Sequence, residues 1–577
     1  MSRTEPPPAV TASSTTVDLL VIGAGTGMAA ALAAREHGLD VLIAEKTGYV
    51  GGSTARSGGA FWIPASSVLR EQGASDTSAE AADYVRSAVA GTAPEERWQA
   101  FLAHGEETVQ MLRRRTPMRF FWAKGYADYH PELPGGSAVG RTCECRPFDV
   151  ATLGAERARL RPSLMAASLP MPVTGADYKW MNLMTRAPHR ALPRIAGRMA
   201  QGIGGMALHR EYVAGGQALA AGLFAGVLRA GIPVWTKTGL TRLIVEDGRV
   251  TGAVLEQEGR EVVVTARRGV VLAAGGFDHD IARRREHQLD SLQAGWSLGS
   301  DGNTGDAISL AGEVGADTTL MDQAWWFPAV APPSPGRQPM VLLAERSLPG
   351  SFLVDGSGRR FVNEATDYMT FGQRVQQRER DGDPVGRMWL VFDQAYRNRY
   401  VFAGGFYPRA PLPESWFANG LAHRGDTPAA LARSAGLPED TFTASVERYN
   451  RLAAAGVDHD FGRGASAYDR YYGDPTVTPN PNLRPLSGPL QAVEVVLSDL
   501  GTCGGLRADR DGRVLRADES AIDGLYAIGN TAGNVFGQTY PGAGATIGQG
   551  LVFGTIVARH AAGARGPAGV SRPVAAG

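Results

Sequence analysis

The sequence predicts an α/β protein in which a discontinuous Rossmann-like domain carries an inserted α+β domain. Three observations predict this fold class. Residues 17–45 have the pattern of a β–turn–α–β unit. Residues 248–276 and 512–530 alternate β-rich runs with polar turns, and each segment ends in a strand followed by glycine. Between residue 325 and about residue 500 the chain is instead rich in aromatic residues and proline.

The domain boundaries are predicted from these changes in composition. The first residues of the chain contain no apolar core of a signal peptide, so we expect a disordered tail there. Within the inserted domain, residues 438–456 are predicted to be a helix, with Asp440 and Thr441 as candidate caps. The predicted division is a tail at residues 1–16, a nucleotide-binding domain at residues 17–324 and 500–565, and the inserted catalytic domain at residues 325–499.

Charge and cysteine content exclude several classes of protein. The 577 residues include 58 Lys+Arg and 58 Asp+Glu, and this balance argues against a nucleic-acid partner and favours a neutral or apolar small molecule. Three cysteines are too few for a disulfide framework, and Cys143 and Cys145 have no histidine cluster beside them. We therefore expect no metal site and a cytoplasmic location. No transmembrane segment is predicted, whereas peripheral membrane contact is left open.

The turn after the first strand has the composition of a dinucleotide-binding site. Gly23 and Gly25 let backbone N–H groups and the positive end of a helix dipole approach a pyrophosphate. Met28 stands where the strict fingerprint has its third glycine, which we expect to change only helix packing. Glu45 follows the second strand, where an acidic residue accepts the hydroxyls of an adenosine ribose. A tight turn without a ligand is the alternative, and Glu45 argues against it.

A second loop rich in glycine and hydroxyl residues indicates a flavin. The segments GGST (51–54) and SGG (57–59) can hold the pyrophosphate from its other side, although an ordinary flexible loop is the alternative. Together with the strand–glycine pairs they resemble the FAD domain of the succinate dehydrogenase/fumarate reductase flavoprotein superfamily. FAD is therefore the predicted cofactor. Its predicted contacts are Gly23, Gly25, Gly27, Met28, Glu45, Lys46, Gly52, Ser53, Thr54, Ser57, Gly58, Gly59, Ala274, Gly275, Gly529, Asn530, Ala545 and Ile547.

Several tyrosines stand in unusual surroundings. Tyr126 and Tyr129 lie in KGYADYHPELPGG, Tyr368 lies in RRFVNEATDYMTFGQ, and Tyr540 lies in GNVFGQTYPGAGATIGQG. A tyrosine more often simply packs its ring in the core. Tyr540 differs because Pro-Gly-Ala-Gly and an apolar helix follow it. Its phenol and the N–H of Gly544 can therefore converge on one oxygen and form an oxyanion hole.

At this point the chain resembles the 3-ketosteroid Δ1-dehydrogenases. The resemblance runs through SGGAFWIP, DYHPELPGG, GNTGDA, DQAWWFP, NEATDYMTFG, FGRGASAYDRYYGDP, SDLGTCGGL and TYPGAGATIG. It implies FAD-dependent 1,2-desaturation of a 3-ketosteroid, with a quinone-like compound as electron acceptor. It further implies that Tyr368 removes the C2 proton, that Tyr129 supports it, and that Tyr540 and the Gly544 N–H polarise the C3 carbonyl. The assignment of Tyr129 competes with that of nearby Tyr126.

Other functions stay open at the level of the sequence. A Δ4-type ketosteroid dehydrogenase would use the same base and flavin, with the 3-ketone held differently. A fumarate-reductase-like enzyme would need Arg and His clamps for two carboxylates, whereas the neighbourhoods of Tyr368 and Tyr540 are aromatic and glycine-rich. A non-catalytic flavin- or steroid-binding protein would keep Glu45 and the glycine loops without needing paired tyrosines.

Overall fold

Two large β-sheets and a shell of helices form the protein in a computed structural model that describes residues 13–164 and 169–563. The strands are β1 Ser13–Ile22, β2 Val41–Ala44, β3 Ala60–Trp62, β4 Phe120–Trp122, β5 Thr142–Cys145, β6 Phe148–Asp149, β7 Tyr212–Val213, β8 Val234–Trp235, β9 Thr238–Glu246, β10 Arg249–Gln257, β11 Arg260–Leu272, β12 Thr318–Thr319, β13 Ala324–Val330, β14 Met340–Val341, β15 Ser351–Val354, β16 Met388–Asp393, β17 Ala422–Gly425, β18 Leu490–Thr502, β19 Gly505–Leu506, β20 Arg513–Leu515 and β21 Ala521–Ala527.

Helices cover both sheets. They are α1 Gly27–Glu36, α2 Gly52–Arg56, α3 Ser67–Arg70, α4 Ser78–Val89, α5 Glu95–Arg115, α6 Gly175–Asn182, α7 Pro188–Ala207, α8 Gly215–Arg229, α9 Ile281–His287, α10 Asp306–Glu313, α11 Tyr368–Arg380, α12 Gln394–Arg399, α13 Glu414–Ala418, α14 Pro428–Ala435, α15 Glu439–Ala455, α16 Ala467–Tyr471 and α17 Ala545–Ala561. Short 3₁₀ helices occupy Val150–Arg159, Glu345–Ser347 and Gly529–Thr531.

The first sheet has a parallel centre. Its strands lie in the order β20-β21-β11-β1-β2-β8, and β10 and β9 continue from β11 as an antiparallel extension. Strand β1 is apolar on both faces because both are covered: Leu19 and Val21 pack with α1, α8 and α17, while Leu20 and Ile22 pack with α10 and the β9–β11 strands. The α/β fold class predicted from the sequence is confirmed.

Strand β1 begins earlier than predicted. Ser13 to Thr16 pair in parallel with Val262 to Thr265 of β11, so the predicted tail is wrong for these four residues. Their hydroxyl side chains gave no apolar signal, yet an extended backbone needs only a neighbouring strand to complete its hydrogen bonds. Residues 1–12 of the predicted tail, and the chain beyond residue 563, lie outside the described residues.

The second sheet is antiparallel and comes from the middle of the chain. Its order is β14-β13-β18-β16-β15, with β17 also paired to β18. The helix predicted at 438–456 is α15, which follows Pro438 and ends at Gly456 with φ of +72°. The predicted caps Asp440 and Thr441 lie instead inside its first turn. The domain boundaries stay a prediction, and β18 crosses the one placed between residues 499 and 500.

Parallel strands bring the glycine turns together. Strands β1, β2, β11 and β21 run in the same direction, so the turns that follow them lie at one edge of the sheet. These turns contain Gly23, Glu45, Gly275 and Gly529. The turns at this edge of the first sheet therefore line one end of a continuous cavity.

Candidate active site

One cavity of about 590 Å³ runs from the glycine turns to a cluster of buried tyrosines. Its nucleotide end begins where β1 stops. Gly23 has φ of +107°, and a Cβ at this position would lie 2.2 Å from the carbonyl oxygen of Ala273. Only glycine fits such a turn. No side chain caps α1, and the N–H groups of Met28 and Ala29 donate to the carbonyl oxygens of Gly25 and Thr26. The positive end of this helix therefore faces the glycine turn and is suited to a phosphate.

Glu45 is held rigidly beside this turn and is 8% exposed. Its carboxylate accepts hydrogen bonds from the Ala24 N–H at 3.0 Å and from the N–H and hydroxyl of Thr47 at 2.9 and 2.8 Å. Two carboxylate oxygens accept about four bonds, so capacity remains for ribose hydroxyls. The ammonium group of Lys46 also lines the cavity and pairs with Asp306 at 3.0 Å.

The loop around α2 forms the opposite wall of this groove. The Ser53 hydroxyl oxygen accepts bonds from the Ser300 N–H and the Asn303 side-chain amide, both at 2.9 Å, so its hydrogen can point to a ligand. Gly59 has φ of +76°, and a Cβ there would be 2.0 Å from the carbonyl carbon of Gly215. The loop is therefore packed closely against the start of α8.

Three of the predicted cofactor contacts do not reach the cavity. Met28 is fully buried in the first turn of α1, and a Cβ on Gly27 would lie 2.9 Å from a methyl group of Val21. Both positions serve helix–strand packing, and Ala545 is likewise buried at the start of α17. The cavity is lined by the other predicted residues: Gly23, Gly25, Glu45, Lys46, Gly52, Ser53, Thr54, Ser57, Gly58, Gly59, Ala274, Gly275, Gly529, Asn530 and Ile547.

Tyr368 is the first residue of α11 and faces the other end of the cavity. The side chain of Asp367 caps this helix by accepting a hydrogen bond from the Thr370 N–H, which fixes the position of Tyr368. Burial raises the pKa of Tyr368, whereas the Arg346 guanidinium, 5.0 Å from its ring centre, and hydrogen bonds from neighbouring tyrosines oppose that rise. At neutral pH Tyr368 is therefore a protonated phenol surrounded by donors.

Tyr126 and Tyr129 both contact Tyr368. The Tyr126 hydroxyl lies 3.4 Å from the Tyr368 hydroxyl. The Tyr129 ring meets those of Tyr368 and Tyr540 edge-on, with centroids 5.7 and 5.0 Å away. The sequence assigned Tyr129 as the supporting residue with Tyr126 as its competitor, and the structure brings the Tyr126 hydroxyl to that of Tyr368. The role of Tyr129 stays a prediction, and Tyr126 is a second candidate for the same role.

Tyr540 and Gly544 lie in the turn before α17. Gly544 has φ of +92°, and a Cβ there would be 2.4 Å from the backbone of Ala60. Burial raises the pKa of Tyr540, while the N–H groups of Gly544 and Thr546 lower it and are therefore close to its phenol oxygen. Trp325 packs its ring 4.7 Å from that of Tyr540. A phenol and a backbone N–H thus lie together at this end of the cavity.

Further aromatic residues complete the tyrosine cluster. Phe327 of β13 lies 4.5 Å from the Tyr368 ring, and the Tyr126 ring stacks on Tyr471 at 4.4 Å. For three of these tyrosines the sequence contained a signal, the run AYDRYY (467–472), which lies in a segment shared with the family. No role was assigned to this run. The residues missed are Phe327, Tyr468, Tyr471 and Tyr472.

Metal and thiol chemistry receive no support from the described part of the chain. Residues 13–164 and 169–563 contain no group of His, Cys, Asp and Glu side chains that could hold a metal ion. Burial raises the pKa of Cys143 and that of Cys145 to about 12, so both thiols are inert. No helix in the same residues has the length and apolar character needed to cross a membrane.

Comparison with known proteins places the chain in a family. Residues 18–547 match the FAD binding domain family. The 3-oxosteroid 1-dehydrogenase of Mycolicibacterium smegmatis is 41% identical over 94% of this chain and 96% of its own length. The enzyme of the same name from Mycobacterium tuberculosis H37Rv is 43% identical over 94% and 98%.

A solved structure agrees in fold. The crystal structure of 3-ketosteroid Δ1-dehydrogenase from Sterolibacterium denitrificans, in complex with 1,4-androstadiene-3,17-dione, superposes with a TM-score of 0.88 at 36% identity. The match covers 95% of this chain and 100% of the other. The glycine cradle and Glu45 fit the FAD that this family implies. The chain therefore belongs to the 3-ketosteroid Δ1-dehydrogenase family and is an FAD-dependent oxidoreductase.

Proposed function

We propose that the protein catalyses the 1,2-desaturation of 3-ketosteroids, converting a 3-keto-4-ene into a 3-keto-1,4-diene. One observation carries this proposal: the donor pair of Tyr540 and Gly544 and the Tyr368 hydroxyl face the same end of the cavity that begins at the FAD cradle. The names of the relatives support the same substrate class.

The chemistry requires each of these groups. A C2 hydrogen is acidic only when negative charge spreads onto the C3 oxygen, and the Tyr540 hydroxyl and Gly544 N–H donate to that oxygen. Tyr368 then accepts the C2 proton, with Tyr126 hydrogen-bonded to its oxygen. Bound FAD supplies the acceptor for the C1 hydrogen and its electron pair. Apolar cavity walls, including Phe327 and Leu500, suit a steroid skeleton.

The cavity disfavours a dicarboxylate substrate. Among the described residues it is lined by no histidine and by one arginine, Arg56, which donates to the Leu298 carbonyl and the Gln338 side chain. A fumarate-reductase-like function would need cationic clamps at the reacting end, and the residues there are tyrosines. A Δ4-type dehydrogenase shares the same catalytic groups, so the position of the new double bond distinguishes the two.

The test is incubation of the holoenzyme with a 3-keto-4-ene steroid and an artificial electron acceptor, followed by product analysis. We expect the 1,4-diene. The matched 3-hydroxy steroid cannot form an enolate and is expected to bind without reacting. Desaturation of the 3-hydroxy compound, turnover of succinate, or binding of the ketone without any flavin reduction would each overturn the proposal, the last in favour of a flavin- or steroid-binding protein.

We infer further that α7 holds the protein on a membrane, where a quinone-like electron acceptor would be dissolved. Leu192, Ile203 and Met206 recur at helical spacing on one face of α7 and are 55%, 51% and 62% exposed. Residues 178–210 contain six Lys or Arg and no Asp or Glu. An apolar stripe in a basic segment is suited to anionic lipid, and the preceding residues Met181 and Met184 line the cavity.

Vesicle sedimentation tests this membrane contact. The protein is expected to sediment with vesicles containing phosphatidylglycerol and not with pure phosphatidylcholine. Ile203→Asp is expected to abolish sedimentation while keeping turnover of a dissolved steroid, because Ile203 does not line the cavity. A protein that stays in the supernatant with both vesicles, or that instead dimerises through this face, would contradict the inference.

A further inference from the structure

A buried carboxyl group beside the tyrosine cluster has no part in the mechanism above. Glu144 lies on β5 with its side chain 3% exposed and lines the cavity. Within the described residues its Oε2 atom makes no hydrogen bond. The residues opposite it on the neighbouring strands are Ala60 and Phe121, neither of which can titrate. A buried carboxylate with one oxygen atom that has no hydrogen-bond partner costs free energy unless it has a use.

The groups around Glu144 leave it able to exchange a proton near neutral pH. Burial raises the pKa of Glu144 to about 7, and the N–H groups of Ala176 and Gly175 oppose this rise. The charge of Asp177 also raises it, and that of Arg198 lowers it. Cys143 and Cys145, which flank it on its own strand, keep their protons in this pH range.

Tyr368 needs a nearby group that can accept its proton. As a neutral phenol it accepts the C2 proton only if its own hydroxyl proton leaves at the same time. Tyr126 lies 3.4 Å away to receive that proton. Burial raises the pKa of Tyr126 well above its usual range, so Tyr126 is itself a neutral phenol and can take up a proton only while releasing its own. A base beyond Tyr126 must therefore accept the proton that Tyr126 releases.

Among the described residues that line the cavity, Glu144 is the one carboxyl group outside the nucleotide end. The Tyr126 ring stacks on Tyr471, and after burial the charge of Glu144 is the largest cause that raises the pKa of Tyr471. The other carboxyls lining the cavity lie at its nucleotide end. There Glu45 is bonded to Ala24 and Thr47, and Asp306 to Lys46.

We propose that Glu144 is the terminal proton acceptor of the desaturation, and this rests on the function proposed above. The C2–H bond breaks and its proton goes to the Tyr368 oxygen, while the Tyr368 proton passes to Tyr126. The Tyr126 proton passes through water in the shared cavity to the Glu144 carboxylate. The C1 hydrogen leaves with the bonding electron pair to FAD, so the steroid is oxidised, FAD is reduced and one proton is left on Glu144.

The test is the rate of flavin reduction in a single anaerobic turnover, measured against pH. In the wild type we expect this rate to rise as the pH passes about 7, where Glu144 loses its proton. Glu144→Gln is expected to lose this rise and to reduce flavin at least about 10²-fold more slowly. Glu144→Asp is expected to restore a pH-dependent rise, since it restores a carboxylate.

Glu345→Gln is the matched control. Glu345 is fully buried and accepts a hydrogen bond from Tyr178 at 3.1 Å, but it does not line the cavity, so this variant is expected to keep the rise with pH. FAD content and thermal melting establish that each variant is folded. A Glu144→Gln enzyme with the wild-type profile and rate would overturn the inference. If the steroid reduces no flavin even in the wild type, the proposed function itself has failed.

Discussion

At the scale of single residues, the site depends on tyrosine hydroxyls that burial keeps protonated and that neighbouring residues hold in position. Burial raises the pKa of Tyr368 and that of Tyr540, yet each has donors that favour negative charge on its oxygen. For Tyr368 these are Arg346 and the surrounding tyrosines. For Tyr540 they are backbone N–H groups. In the proposed mechanism the same residue type therefore serves as base at one position and as oxyanion donor at the other.

Replacing Tyr368 tests the base. Tyr368→Phe is expected to keep FAD and steroid binding while reducing kcat by roughly 10²–10⁴-fold, the usual effect of losing general base catalysis. Tyr449→Phe is a matched control, because Tyr449 is a buried tyrosine that packs on Phe352 and does not line the cavity. Steady-state kinetics and the flavin spectrum provide the measurement. Near-normal turnover in Tyr368→Phe would remove this residue from the mechanism.

Replacing Tyr540 tests the oxyanion hole. Tyr540→Phe is expected to reduce kcat by about 10²–10³-fold with a smaller effect on KM, because its hydrogen bond strengthens only as charge develops on the C3 oxygen. The binding of the dienone product, followed by the flavin spectrum, is expected to change little. A variant that raised KM and left kcat unchanged would show that Tyr540 only binds the ground state.

At the scale of elements, the sequence predicted what depends on local pattern and missed what depends on packing. The β–α–β unit and α15 followed from periodicity and glycine. Strand β1 was predicted four residues short, since Ser13 to Thr16 are held by pairing with β11 and not by apolar burial. Tyr126 and Tyr129 could not be ranked, because their distances to Tyr368 depend on where α11 begins. Tyr468 and Tyr471 were missed for the same reason.

The turn before α17 can be tested by a single added methyl group. Gly544→Ala is expected to lower kcat and the melting temperature, because its Cβ would lie 2.4 Å from the Ala60 backbone and its φ of +92° strains any other residue. Gly204→Ala on α7 is the control, since a Cβ there meets nothing within 4 Å. The measurements are steady-state turnover and thermal melting curves of both variants. A fully active Gly544→Ala enzyme would mean that this turn is less tightly packed than described.

At the scale of the whole molecule, FAD binding stabilises the fold because the cradle is built from four distant turns. Glu45→Ala is expected to lower FAD occupancy and, through it, the melting temperature, since each hydrogen bond to a charged group contributes roughly 1.5–3 kcal/mol. Glu246→Ala, at an exposed position on β9, is the control. Acid precipitation is expected to release all flavin, since no histidine is among the described residues that line the cavity and could form a covalent link. Unchanged occupancy in Glu45→Ala would show that the ribose binds elsewhere.

The packing of α17 against α1 has a consequence for how the protein is made. Helix α1 is synthesised well before α17, the last helix that the structure describes, yet the two are in direct contact. The turn before α17 contains Tyr540 and Gly544. A nascent chain that has not yet reached α17 can form the turn at Gly23 but cannot close the cavity. The cavity can therefore close only once α17 has been synthesised, and a chain truncated before α17 is expected to have no partial activity.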